Sequence, residues 1–335
     1  MPLLAFMARR LVTIIPTMVG LIVLTFFLAR VIPADPAGLM AGEGASRQQI
    51  EELRRRYGLD QPLYLQLGHY LMQLATGNLG TSIYTGRPVL QDLRERFPAT
   101  LELTLVSIGL AVLFGVPCGL LSAIKRNTWL DHGLRLCTTA GLAITGFWLA
   151  IMLQLFFSMD LDLLPLGGRL SGTQAPQLTG FLLLDTLLLG NGSAFMSALQ
   201  HMALPAMTLA YPAFATIVRF TRSGVLDVLQ RDFILYEHAM GLPRWLITGK
   251  YLLRNALTST VAQIGLLFGS LLAGAVVTEQ VFDWPGLGLY AVESIMKFDY
   301  QATLGITLWA GVAYSLANVL VDLAQAIIDP RVVGR

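Results

Sequence analysis

Six stretches of this chain run through most of a bilayer's thickness without one charged side chain, and no other feature limits its possible folds as strongly. They are Leu11–Ala29, Leu103–Ile124, Leu136–Met159, Met202–Val218, Ala256–Thr278 and Ala302–Val321. A helix needs about twenty apolar residues to cross the hydrocarbon core. Only helices and closed barrels satisfy their own backbone hydrogen bonds there. Charged residues make up 13% of the chain, about half the share in soluble domains. The reading is an all-α integral membrane protein with six transmembrane helices. Arg9–Arg10 and Arg30 bracket the first run, and no small-residue cleavage site follows it. It reads as a retained span rather than a signal peptide.

A seventh run, Leu178–Leu189, is too short for a span and holds Asp185 near its middle. Charge placement argues against it as well. With six spans and an inside N-terminus, the cytoplasmic segments hold Arg9, Arg10, Lys125, Arg126, Arg135, Arg219, Arg222, Arg231, Arg244, Lys250, Arg254, Arg331 and Arg335. The short outside loops hold Arg169 and Lys297. This is the positive-inside bias, and a seventh span would reverse it around Arg219–Arg254.

The first outside loop, Pro33 to Phe97, reads as structured. Ser46 and Gln49 form a capping box; Ile50, Leu53 and Tyr57 give an apolar face, and Gly58 closes the helix. Asp60 is placed to cap a second helix through Leu63, Leu67, Leu71 and Leu74, ending at Gly77. Glu102, at the start of the second span, reads as a group at the wet rim, with a ligand contact as the alternative. The second outside loop, Asp160–Gln200, lacks periodicity, and a loop of that length is functional or loosely ordered.

Asp232–Ala256 is the longest polar interval between spans in the second half, and it reads as a helical hairpin. Phe233, Ile234 and Tyr236 open a short amphipathic turn, and Gly241 supplies the left-handed residue that ends it. Pro243 suits the first turn of a second helix carrying Trp245, Leu246, Tyr251 and Leu252. After the fifth span, Phe282, Trp284, Pro285, Gly286 and Gly288 form a rigid turn with an interfacial tryptophan.

No nucleotide-binding glycine loop, H-E-x-x-H or paired membrane carboxylate occurs, so the chain itself carries no catalytic residue, metal site or ATPase. Cys118 and Cys137 lie in or beside apolar runs, which argues against a disulfide framework. An ion-coupled secondary transporter would place ionisable groups mid-membrane, and the centres of these spans have none. A scaffolding subunit would need no folded cytoplasmic hairpin.

The hairpin resembles the cytoplasmic coupling loop of ABC-importer permeases. The matching positions are the triplet Leu235, Tyr236 and Glu237, then Gly241, then Arg254, Asn255, Ala256 and Leu257. The triplet departs from the peptide-type pattern, with Glu237, His238 and Met240 where basic and small residues are usual. The loop segments Tyr57–Leu63 and Gly77–Gly80, the start Phe97–Leu103 and the turn Leu164–Arg169 are similar to those of the dipeptide, oligopeptide and nickel importers. So are Phe282–Gly288, Asp299–Tyr300, and the ending through Asn318, Asp322, Asp329, Pro330 and Arg331.

The resemblance implies a type I importer permease fold. Residues 1–97 form an N-terminal helix plus an extracytoplasmic helical loop, and 98–335 form a five-helix core containing the coupling loop 232–256. It implies that Leu235, Tyr236, Glu237, His238, Ala239, Gly241, Leu242, Arg254 and Asn255 meet an ATPase. ATP and Mg would be bound by partner subunits and no cofactor by this chain. The implied partners are a homologous second permease, two ATP-binding subunits, an extracytoplasmic binding protein and the bilayer, with no nucleic acid. The implied location is the bacterial inner membrane with both termini cytoplasmic. The implied cargo is di- or oligopeptide, with nickel, metal chelates or glutathione as alternatives.

Overall fold

The computed structural model describes residues 2–31, 38, 44, 46–56, 60–172 and 178–328, and among these the regular elements are helices, with one isolated β-bridge between Thr81 and Pro88. Helix α1 (Pro2–Val31) has 30 residues, about 45 Å at 1.5 Å per residue. It contains the first predicted span. Helix α2 (Arg47–Arg56) opens with the expected capping box: the Ser46 N–H donates to Gln49 Oε1 at 2.9 Å and the Gln49 N–H to Ser46 Oγ at 3.3 Å. Tyr57 and Gly58, expected to complete and close it, lie outside the described residues.

Helix α3 (Leu63–Ala75) ends as expected, with Gly77 at φ 75°, but Asp60 does not cap it. Pro62 occupies the cap position, and its carbonyl accepts from Leu65 and Gln66. Asp60 is two residues too early to reach the free N–H groups.

Helices α4 (Val89–Ile124), α5 (Trp129–Ala143) and α6 (Gly146–Leu153, prolonged by π-helical turns over Gln154–Asp160) follow. Here the expected third span, Leu136–Met159, needs correction. It is two helical pieces meeting at 107°. Ile144 and Thr145 are both extended, at ψ 129° and 136°, which breaks the helical ladder between the pieces. Apolarity continues across the break while the backbone does not.

Helix α7 (Leu182–Leu188) is only 7 residues long, in agreement with rejection of a seventh span. Helix α8 (Gly192–Leu229) is followed by α9 (Asp232–Ala239), and α10 (Arg244–Leu246) continues through π-helical turns Ile247–Leu252 into α11 (Leu253–Val281). Helices α12 (Leu287–Met296) and α13 (Tyr300–Ile328) complete the described chain. Among the described residues, α4, α8, the Ile247–Val281 helix and α13 are long and apolar enough to cross a membrane. The bent α5–α6 pair supplies another crossing if it acts as one span.

The bundle is built around α8. Of its most apolar window 72% is buried, against 33% or less for the other candidate spans, so α8 is the axis and the others keep exposed sides. Small residues allow the close approach that packs helices in lipid. A Cβ on Gly115 would lie 2.8 Å from Ile217, and one on Gly119 would lie 2.7 Å from Thr221 and 2.8 Å from the Val218 carbonyl. Helix α1 lies against α13, where Gly311 leaves room for Met18 and Leu21.

Candidate functional site

At one end of the bundle, where α4 ends and α11 begins, the Asp232–Ala256 interval forms the predicted hairpin. Its first helix ends in a Schellman arrangement: the Gly241 N–H donates to the His238 carbonyl at 3.0 Å and the Leu242 N–H to the Glu237 carbonyl at 3.3 Å. Gly241 has φ 75°, and a Cβ there would meet nothing within 4 Å. Backbone conformation, rather than space, is what requires glycine. Pro243 stands just before α10, its carbonyl accepting from Leu246 at 3.0 Å and Ile247 at 3.2 Å.

The hairpin has two faces. Ile234, Ile247, Leu252 and Ala256 are buried against Ala123 of α4 and Val225 of α8. On the other face Leu235, Tyr236, Met240 and Trp245 are 69%, 65%, 64% and 74% exposed. His238 and Ala239 are exposed beside it, and Leu242 is half-buried. Glu237 turns inward with Ile234, and its Oε2 has no hydrogen-bond partner among the described residues. Arg254 and Asn255 are exposed at the start of α11, where the Asn255 amide donates to the Tyr251 carbonyl at 2.7 Å.

Sequence reasoning missed the lock beside this hairpin. Asp131 is fully buried and accepts from Arg222 Nε at 2.8 Å, Arg222 Nη2 at 3.0 Å, Ser122 Oγ at 2.5 Å and the Asn127 N–H at 3.1 Å. Ser122 precedes Ala123 on α4, and Arg222 lies one turn before Val225 on α8. The lock and the hairpin seat therefore share the same two helix ends. The available signal was a lone acid between Arg126 and Arg135 in a basic segment.

At the opposite end, the expected interfacial tryptophan is corrected as well. Trp284 is fully buried, its indole N–H donating to the Ala99 carbonyl at 3.0 Å. The ring belongs to the central core with Leu103, Met202 and Leu271. Phe282 is buried against Ala150 and Leu204. The turn folds onto a buried carboxylate: Glu279 accepts from Thr100 Oγ1 at 2.6 Å and from the N–H groups of Gly288 and Leu289 at 2.6 and 3.1 Å. It thereby serves the free N–H groups and positive end of α12. A Cβ on Gly286 would run into this carboxylate, and one on Gly288 would lie 2.5 Å from Val276 Cα. Pro285 is exposed.

The Leu164–Arg169 turn docks on this assembly, with the Gly168 N–H donating to the Phe282 carbonyl at 2.8 Å. Glu102 is not at a wet rim. It is buried, paired with Arg169, and accepts from the Leu182 and Leu183 N–H groups at 3.2 and 2.7 Å. Asp185 gathers the loop in the same way, accepting from Thr179 Oγ1 at 2.6 Å and from the N–H groups of Leu178, Thr179 and Gly180. Burial works to raise the Asp185 pKa, and these hydrogen bonds outweigh it and hold the carboxyl below its usual value.

Family models for the "binding-protein-dependent transport system inner membrane component" match residues 115–334, and for its N-terminal part residues 3–104. The probable D,D-dipeptide transport system permease protein DdpB of Escherichia coli K12 is 47% identical over 315 residues, 93% of each chain. The dipeptide transport system permease protein DppB of the same strain is 40% identical over 340 residues, 98% of this chain and 99% of the relative. The glutathione transport system permease protein GsiC of Salmonella choleraesuis is 36% identical over 331 residues, with the same coverage. A solved structure of the MetNI methionine ABC transporter in inward-facing conformations superposes with a TM-score of 0.50 at 20% identity, covering 71% of this chain and 94% of that one. That likeness bears on the fold alone, and it agrees with the helical bundle described above. Matched along nearly its whole length, this multi-pass membrane chain belongs to the family of binding-protein-dependent transport system inner membrane components.

Proposed function

We propose that this chain is one of two homologous permease subunits of an ATP-driven importer of dipeptides, with the Asp232–Ala256 hairpin as the element that its ATPases move. The observation that carries the coupling role is the two-faced hairpin: Ile234, Ile247 and Leu252 seated in the bundle, and Leu235, Tyr236, Met240 and Trp245 presented outward. Large apolar side chains exposed together on one folded element mark a docking surface. Two partner subunits bind and hydrolyse ATP with Mg, and a binding protein delivers cargo at the opposite end. The basic residues around the hairpin orient both termini and the hairpin toward the cytoplasm.

In this reading, closure of the ATPase pair displaces α9 and α10. The buried cluster passes that displacement to α4, α8 and α11. The nucleotide shifts the inward-open to outward-open equilibrium only by its differential affinity for the two states, so the hairpin must be stiff. The Schellman closure and the Asp131 lock provide that stiffness.

The dipeptide assignment rests on the names and identities of the relatives. Glutathione is the second reading, favoured by the transporter subunit GsiC at 36% identity. Reconstitution of this chain with its companion permease, ATPases and binding protein in proteoliposomes tests both. Uptake of labelled D-Ala-D-Ala or L-Ala-L-Ala, with no uptake of glutathione, is the expected result. Glutathione uptake alone would transfer the assignment, and ATP-independent uptake would end it.

A further inference from the structure

Helix α3 has three faces, and only two have an evident use. Leu67, Tyr70 and Leu74 form the stripe that holds it to the bundle, where Tyr70 packs with Phe26 of α1 and Leu304 of α13. The Tyr70 and Phe26 rings stack with centroids 6.0 Å apart and planes 24° from parallel. His69 and Gln73 form an exposed polar face, while the half-buried Gln66 turns its amide back to the Gln61 carbonyl at 2.7 Å. Between these lies an apolar stripe with no partner among the described residues. Tyr64 and Met72 are 73% and 70% exposed, Leu65 and Leu71 are exposed beside them, and a Cβ on Gly68 would meet nothing within 4 Å.

Two further observations say what covers this stripe. The helix, LYLQLGHYLMQLA, contains no Asp, Glu, Lys or Arg, so sinking one side of it into lipid buries no charge. Its anchor places it against the last turns of α1, and the outward face of α1 carries Val12, Ile15, Val19, Leu24 and Phe27, all exposed. Phe27 adjoins the Phe26 on which Tyr70 stacks, with the two phenylalanine rings edge to face at 5.9 Å. The apolar stripe therefore adjoins the exposed apolar face of α1, the helix that contains the first predicted span. A helix with an apolar side and an opposed polar side at that level suits the boundary between headgroups and acyl chains.

We propose that α3 is an interfacial helix, with Tyr64, Leu65, Leu71 and Met72 sunk into the phospholipid headgroup–acyl boundary and His69 and Gln73 facing water. The inference needs the chain to cross the bilayer, but it does not depend on which face is outside or on the cargo.

Nitroxide labels at Tyr64→Cys, Met72→Cys and His69→Cys test it, in the assembled transporter in phosphatidylethanolamine–phosphatidylglycerol vesicles, with Cys118 and Cys137 replaced by Ser. None of the three positions belongs to the stripe that anchors the helix. Collisions with oxygen, which concentrates in lipid, and with a water-soluble nickel chelate are measured with the chelate on both sides. The expected result is an oxygen-to-nickel ratio several-fold higher at residues 64 and 72 than at 69. Equal access of the chelate to all three would overturn the proposal by placing the stripe in water. Access of neither reagent to residues 64 and 72 would overturn it by placing a protein partner there.

Discussion

Arg222 of α8 holds Asp131 of α5 by two parallel hydrogen bonds, Nε at 2.8 Å to one carboxylate oxygen and Nη2 at 3.0 Å to the other. The two-pronged geometry fixes direction as well as distance. It ties the start of α5 to the same stretch of α8 that seats the hairpin.

Asp131→Ala should be among the most damaging single changes near the hairpin. It removes the acceptor for Arg222, Ser122 and the Asn127 N–H at once. Breaking a buried pair from one side costs about 3–5 kcal/mol. Arg222→Ala should cost less, because Ser122 and Asn127 still serve the carboxylate. The double variant should be less destabilised than the sum of the two. Thermal unfolding of the purified chain in detergent reads all three, and strict additivity would contradict the lock.

Gly241 separates conformation from space. With φ at 75° and open surroundings, Gly241→Asn should retain most uptake, because Asn tolerates the left-handed region. Gly241→Val should keep the chain in the membrane but uncouple uptake from ATP hydrolysis. Equal uptake by both variants at equal expression would contradict a left-handed requirement in the working state.

Glu279 should tolerate loss of charge but not loss of its oxygens. Glu279→Gln keeps an acceptor for Gly288 and Leu289 and a polar partner for Thr100. Glu279→Leu orphans these groups in a buried site. Each unsatisfied buried group costs about 1–3 kcal/mol, so the Leu variant should fail to accumulate while the Gln variant does. Quantifying folded protein by size-exclusion chromatography distinguishes them.

These contrasts show where sequence reasoning succeeds and where it stops. The hairpin was legible because its signals are local: a glycine, a proline two residues on, and apolar residues at helical spacing between two spans. The bend at Ile144–Thr145 was not, because hydrophobicity reports surroundings and the two dihedrals that break the helix leave it unchanged. Trp284 was placed at an interface because an aromatic residue at a span's end carries the same signal whether it faces headgroups or the core. Asp131 was overlooked because its partner lies 91 residues away, and pairing at that distance has no local mark. Glu102 was misplaced for a related reason: the Arg169 that neutralises it arrives 67 residues later.

The two faces of the hairpin should separate folding from coupling. Ile234 is buried in the root cluster, and truncating such a residue to Ala costs about 2–5 kcal/mol. Ile234→Ala should therefore lower the unfolding temperature of the isolated chain. Tyr236 and Trp245 are mostly exposed and contribute little to that packing. Tyr236→Ala and Trp245→Ala should leave thermal unfolding of the isolated chain unchanged. In the reconstituted transporter the order reverses for function, because large aromatic residues dominate docking energetics and their loss costs 2 kcal/mol or more, roughly thirtyfold in affinity. The two exposed-face variants should then release the ATPase subunits during purification and abolish cargo-stimulated ATP hydrolysis. If they unfold the isolated chain, the outward face is packed rather than presented. If they retain full stimulation, the ATPases grip the permease somewhere other than this patch.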